Sequence, residues 1–388
     1  MSQEPVKYDA RHIQMLEGWE AIRKRPGMYI GSTGERGLHN LVFEVAGRAV
    51  NEVLADRASS VEITLMPDGG VRVADDGPGV HFEDGGDAVG PGLEALLTRM
   101  FLGVIPVSRC YPVFSDCGVG LFVANALSSR MVAEVQREGV RWVQEYARGV
   151  AVSEPVNAGP AAGSGTTITF WPDADIFTTT QCSFDALAER FMELAFLNRN
   201  LDVSLTDERH PSEPRSLRFQ APGGVRDMVA LLDEPSAEIL HPDIIGLERE
   251  DPRMAGTMEV ALRWRRSGQQ LVRSFANSRP TPGGGTHTAG FHDGVQAAIN
   301  AYARERRLLT ATDPDLGTDR IGEGLTAVVS VKLEYPEFEG STRGVLGNAA
   351  VRACVEQAVL EHLARWLQEH PQQAAAVIDG IIQGARGD

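Results

Sequence analysis

Three groups of residues have types and spacing that suit chemistry. Glu44 lies within an apolar helical pattern, with Arg48 and the Asn51-Glu52 pair on the same stripe at i+4 and i+7 to i+8. A carboxylate held on a helix can orient and deprotonate a water. The run Asp75-Asp76-Gly77-Pro78-Gly79-Val80 closes a strand pattern. A strand-end carboxylate accepts a hydrogen bond from an adenine amino group, and glycines let backbone approach a flat ring closely. Gly118-Val119-Gly120 precedes a short apolar helix. Such a turn offers free backbone N–H groups to phosphate. Each group also has a plain reading: a solvated helix acid, a tight turn, a helix-start turn. It is the order and spacing of all three that point to one nucleotide site.

The surrounding pattern supplies the elements that must carry these groups. Ile13, Leu16, Trp19 and Ile22 recur at helical spacing before Pro26-Gly27, and a second helix is expected from about Leu38 to Leu54. Val61, Ile63 and Leu65 alternate with polar residues, Asp68-Gly69-Gly70 turns the chain, and Val71 and Val73 resume: a hairpin. Helices are expected at Leu93–Phe101 and Leu121–Leu127, and strands at Met131–Gln136, Trp142–Ala147, Thr166–Trp171 and Val203–Thr206. A second domain is expected from about Phe219. There Met258–Trp264 and Leu271–Asn277 read as paired strands, Gly290–Arg304 as a helix, and the run Leu325–Leu333 as a buried strand. Long helical periodicity returns at Asn348–Gln368, followed by Pro371 and a short helix.

Bulk properties restrict the partners. With 388 residues the chain can fill two domains, 1–218 and 219–388. The formal net charge of −16 does not favour non-specific nucleic-acid binding, so contact with DNA needs a local basic patch. Cys110, Cys117, Cys182 and Cys354 form neither a CxxC pair nor a zinc pattern. A polar N-terminus and the lack of long apolar runs imply no membrane partner, with the cytoplasm as the expected location.

Several motifs together resemble one family. They are Ala21-Ile22-Arg23-Lys24-Arg25-Pro26-Gly27-Met28-Tyr29-Ile30-Gly31, Asn125-Ala126-Leu127-Ser128, Gln136-Arg137-Glu138-Gly139, Phe170-Trp171-Pro172, Ala195-Phe196-Leu197-Asn198, Gly284-Gly285-Thr286-His287 and Val329-Ser330-Val331-Lys332. The chain is similar, along nearly its whole length, to the ATPase-and-transducer region of DNA gyrase B and topoisomerase IV. The resemblance implies an α+β fold: a GHKL (Bergerat) α/β sandwich followed by a transducer domain like ribosomal protein S5. It implies Glu44 as general base, with ATP binding by Asp75, Gly77, Gly79, Val80, Gly118, Val119, Gly120, Thr166, Arg137 and Arg343. Tyr8 would reach a partner's nucleotide across a homodimer. The other gyrase polypeptides or DNA are the further implied partners.

Departures from the family pattern concentrate on phosphate and metal. Arg48 stands where the family has a magnesium-binding Asn, and a guanidinium has no lone pair to give. The expectation is therefore ATP without magnesium, with hydrolysis weak or lost. Two arrangements are open to Arg48: pairing with Glu44 one turn away, which is the expectation, or binding phosphate directly. Asn40 replaces a His that assists the base. Pro78 replaces an Arg, which is expected to leave Glu52 without a partner. Asp116 enters the lid, and Arg343 replaces a Lys that reaches the γ-phosphate. On this reading the adenine half survives. The TOPRIM and tail domains of the family are expected to be absent, the chain being a short divergent paralogue. The alternatives are a working ATP-driven clamp and, further off, an aminocoumarin-binding decoy.

Overall fold

The computed structural model describes residues 16, 18–81, 92–99, 120–210, 212–233, 238–310, 312–340 and 343–384. Tyr8, Gly118 and Val119 of the expected site lie outside the described residues, as does Asp116. The chain divides into two compact units.

The first unit contains residues 120–188 and 204–217 together with the described residues before 100. Its elements begin with α1 (Gly18–Lys24), α2 (Gly27–Ile30) and α3 (Glu35–Leu54), then β1 (Val61–Leu65) and β2 (Val71–Asp75). They continue with α4 (Leu93–Thr98), α5 (Gly120–Ala126), β3 (Ser128–Arg137), β4 (Val140–Ala147), β5 (Val150–Ala151), β6 (Val156–Pro160) and β7 (Gly165–Pro172). After α6 (Phe184–Leu197) come β8 (Val203–Asp207) and β9 (Arg215–Phe219). The strands join in the order β5-β4-β3-β7-β2-β1-β8-β9, with β6 added on β4. Leu38, Leu41, Val42, Val45, Ala49 and Val53 of α3 are all buried, as the helical spacing requires of a core-facing stripe. The hairpin β1–β2 forms in the expected register, with Ile63 opposite Val73. Arg23 donates to Asp173 Oδ2 at 2.7 Å and to the Ala126 carbonyl at 2.9 Å. The basic run therefore has a structural use at its first residue.

The second unit contains residues 189–203 and 218–384 among those described. Residues 189–203 belong here because of specific bonds. Asn198 Nδ2 donates to Ser278 Oγ at 3.1 Å, Arg190 donates to the Ser278 carbonyl at 3.0 Å, and Glu193 pairs with both Arg190 and Arg273. The elements are α7 (Val225–Leu232), β10 (Ile245–Asp251), β11 (Gly256–Trp264), β12 (Leu271–Ala276), β13 (Arg279–Pro280) and α8 (Thr286–Glu305). They end with α9 (Thr318–Gly322), β14 (Leu325–Leu333), β15 (Phe338–Glu339), β16 (Val345–Leu346), α10 (Ala349–Glu369) and α11 (Pro371–Gly384).

One strand pairing departs from expectation. Met258–Trp264 and Leu271–Asn277 do not pair with each other; β14 lies between them, in the order β10-β11-β14-β12-β13. The apolar run of β14 is buried from Leu325 to Val331, and a strand covered on both faces takes the central place. It runs parallel to β12, and parallel neighbours need a crossover, which α8 supplies. Helices α8 and α10 approach closely because α8 carries glycines at the crossing. A Cβ on Gly290 would lie 2.2 Å from the Arg352 carbonyl oxygen, and one on Gly294 would lie 2.6 Å from that of Glu356. Among the described residues, no helix is long and apolar enough to cross a membrane.

Candidate functional site

The first unit brings the end of β2, the start of β7 and one face of α3 together. Asp75 closes β2 and sits opposite Thr166 in the ladder with β7. Its carboxylate is buried. Oδ1 accepts the Gly77 N–H at 3.0 Å, the closure of a tight turn. Thr166 Oγ1 accepts the Val80 N–H at 3.2 Å, which ties the following loop to β7. Gly79 has φ +76°, and a Cβ there would lie 2.6 Å from the Gln136 carbonyl oxygen, so the loop tolerates only glycine. Arg137 donates from Nη1 to the Gly79 carbonyl at 2.9 Å, and Nε pairs with Glu138 at 3.0 Å. Sequence reasoning missed Gly165, which precedes Thr166. A Cβ there would lie 2.3 Å from the backbone oxygen of Asp75, and the visible signal was the Gly163-Ser164-Gly165 run.

Arg48 is where the structure corrects the sequence reading. Its guanidinium does not pair with Glu44. Nη2 donates to Asp75 Oδ2, and Thr166 O lies 3.5 Å from the same nitrogen. The Arg48 side chain is 11% exposed and that of Asp75 is 1% exposed, so the pair is shielded from water. Arg48 and Glu44 are both on α3, one turn apart, and both carboxylates are buried; the guanidinium reaches the one at the end of β2. Nε and Nη1 of Arg48 are buried without a protein acceptor.

Glu44 has its own anchor. It is 3% exposed, and Oε2 accepts the Gly120 N–H at 2.9 Å. Gly120 begins α5 with φ +71°, so the acid is held at the first turn of the helix that the glycine motif was expected to open. Asn40 donates to the Ile30 carbonyl at 3.1 Å, a bond that fixes α2 against α3. Glu52 does not lose its partner. Arg57 Nε donates to it at 2.7 Å, replacing the missing Arg at position 78 from within the same chain segment. Arg343 is exposed in the second unit, with φ 52°.

The adenine-reading donor set implied by the motifs is therefore incomplete in this arrangement. Of the two Asp75 oxygens, Oδ1 holds the turn and Oδ2 holds Arg48. An adenine amino group would therefore have to share a carboxylate oxygen with the Gly77 N–H or with Arg48. A magnesium ion on this face of α3 would meet the Arg48 guanidinium, which cannot ligate a cation.

The nine-stranded sheet with α3 against it, and the motif cluster at the end of β2, define a GHKL-type ATPase fold followed by a second α/β unit. A DNA gyrase B family model matches residues 224–388. The chain is 44% identical over 396 residues to DNA gyrase B of Streptomyces coelicolor, covering 98% of this chain and 58% of that protein. It is 37% identical over 413 residues to DNA gyrase B of Mycobacterium tuberculosis, covering 98% of this chain and 60% of the relative. Among solved structures, the 43K ATPase domain of Thermus thermophilus gyrase B, determined in complex with an aminocoumarin, is similar with a TM-score of 0.80 and 32% identity, over 96% of both chains. DNA gyrase B of Myxococcus xanthus is similar with a TM-score of 0.78 and 26% identity, over 93% of this chain and 99% of that one. The chain belongs to the DNA gyrase B family. It is an ATPase-and-transducer module of that family, and it spans somewhat under two thirds of the length of the curated relatives.

Proposed function

We propose that this chain is a gyrase-B-type module that binds ATP weakly, turns it over slowly, and works through binding: to a second copy of itself, to other gyrase polypeptides or to DNA, in the cytoplasm. One observation carries the reading: the Arg48 guanidinium rests on the Asp75 carboxylate that would otherwise accept the adenine amino group. ATP has to displace a buried, charge-assisted bond before its base can be read, and each such bond is worth more than a neutral one. The magnesium side of the site is weakened by the same residue, because a guanidinium offers no lone pair.

Calorimetry with a non-hydrolysable ATP analogue, with and without magnesium, on the wild-type chain and on Arg48→Asn, tests this. The expected result is weak, magnesium-insensitive binding by the wild type and a clear gain on Arg48→Asn. Tight, magnesium-dependent binding by the wild type, with a turnover that Arg48→Asn does not raise, would sink it.

A second reading, a working ATP-driven clamp, is favoured by Glu44. That acid is buried and anchored at Gly120, as a general base must be to act on one water. It requires measurable ATP turnover in the wild type that is lost in Glu44→Ala.

A further inference from the structure

We propose that Lys332 is an acylation site: its side-chain amine takes a small acyl group from an acyl phosphate, which removes the cation from a charge cluster shared by β14, β11 and β10.

The motif Val329-Ser330-Val331-Lys332 closes most of β14, and the fold uses its first three residues. Val329 and Val331 are fully buried in the core, and Ser330 is buried beside them. Lys332 is half-buried, and among the described residues its ammonium has neither a hydrogen bond nor an ion pair. The residue type is itself a signal. Of 37 lysines and arginines, only Lys7, Lys24 and Lys332 are lysines. A guanidinium stays charged and forks onto carboxylates, whereas an amine can lose its proton and become a nucleophile.

The neighbours come from three elements of the second unit. Lys332 lies opposite Thr257 on β11, so Glu259, two residues further along that strand, shares its face. Glu248 on β10 lies opposite Glu259. Arg199, beyond the end of α6, holds both acids: Nη1 meets Glu248 Oε2 at 3.0 Å, and Nη2 meets Glu259 Oε1. The two carboxylates are thus spent on Arg199, and Lys332 stands beside them unpaired. Burial pushes the amine below its ordinary value and Arg199 adds to that, against the opposing pull of Glu259 and Glu248. Burial also lifts the Glu259 carboxyl. Desolvation and a nearby cation are the two conditions that activate a lysine as nucleophile.

In the step itself, the Nζ lone pair forms a bond to the acyl carbon. The bond from that carbon to the phosphate oxygen breaks, and phosphate leaves with the electron pair. One N–H proton passes to water, leaving a neutral amide. A half-buried amine favours a small donor, and Arg199, 39% exposed, offers positive charge to an anionic one. Acylation leaves two carboxylates on Arg199 alone.

The experiment is a time course of the full chain with acetyl phosphate, and separately with acetyl-CoA, over a range of pH. Peptide mass spectrometry follows Lys332 against Lys24, which is exposed. With acetyl phosphate near neutral pH, Lys332 should react about threefold or more faster than Lys24, and its rate should climb at lower pH. In urea the two should react alike. Arg199→Gln removes the cation and releases Glu259 and Glu248 to the ammonium, so it should slow Lys332; Glu259→Gln should speed it. Each variant is first checked for a cooperative melt, and the wild-type comparison stands if neither folds. Lys332 left unlabelled while Lys24 reacts, or a pH profile matching that of Lys24, would overturn the site. Faster labelling that persists in urea, or that Arg199→Gln leaves unchanged, would overturn the cluster as its cause. Labelling by acetyl-CoA but not by acetyl phosphate would overturn the donor class.

Discussion

Replacing Asp75 with Asn tests the buried pair through stability rather than binding. The substitution keeps size and shape and removes one charge. Asp75 is 1% exposed and Arg48 11% exposed, so little water screens the guanidinium that is left behind. Removing one partner of a buried ion pair costs about 3–5 kcal/mol, because the other charge stays buried and uncompensated. The Gly77 N–H still has an acceptor in the Asn side chain, so the turn itself contributes little to the loss. The double variant Asp75→Asn with Arg48→Asn removes both charges, and much of the loss should return. Hydrogen exchange in urea, read on peptides from α3 and β2, reports this unit without mixing in the second one. A coupling energy of about 2 kcal/mol or more between the two positions is expected. Effects that add to within about 0.5 kcal/mol would refute the pairing and everything argued from it.

Two further predictions concern the second unit. His287 is fully buried, and burial pushes its imidazole down to about 4 from the ordinary value near 6.5. Its Nε2 lies 3.0 Å from the Thr281 hydroxyl, a partner that suits the neutral ring. A depressed histidine contributes stability above its unfolded value, and that stability is lost as pH falls from about 6.5 towards 4. The loss should reach about 3 kcal/mol by pH 4, and urea unfolding of wild type against His287→Gln should show the variant lacking that part of the slope; parallel pH profiles would contradict it. Gly294→Val puts a side chain where even a Cβ lies 2.6 Å from the Glu356 carbonyl oxygen. The helices must separate, at a cost of about 1–3 kcal/mol or more. The expected result is a lowered melting temperature for the second unit, and a melt equal to wild type would show that the α8–α10 crossing is not tight.

Much of the architecture was legible in the sequence because local physics fixes it. The alternation of Val61, Ile63 and Leu65 around Asp68-Gly69-Gly70 could only be a hairpin, and the stripe from Leu38 to Val53 could only be a buried helix face. The motif runs carried the family, since glycines such as Gly79 and Gly285 stand where a side chain would strike backbone. Strand order was less legible. Pairing is a contest between segments distant in sequence, and the central place of β14 was decided by burial on two faces, which the order of strands along the chain does not state.

The site divides in the same way. Residue types alone determined which side chains could do chemistry here: Glu44, Arg48, Asp75 and Thr166, together with glycines where backbone must come close. They also determined that a guanidinium stands where a metal ligand was expected. Which carboxylate that guanidinium serves was a question only the fold could answer. Sequence proximity favours Glu44, four residues away, while tertiary structure brings Asp75, 27 residues away, against Arg48 at the end of β2. The physical reason is position: both carboxylates are buried and each accepts a backbone N–H, Glu44 from Gly120 and Asp75 from Gly77, but strand pairing sets the Asp75 carboxylate at the end of β2 where Arg48 Nη2 reaches it.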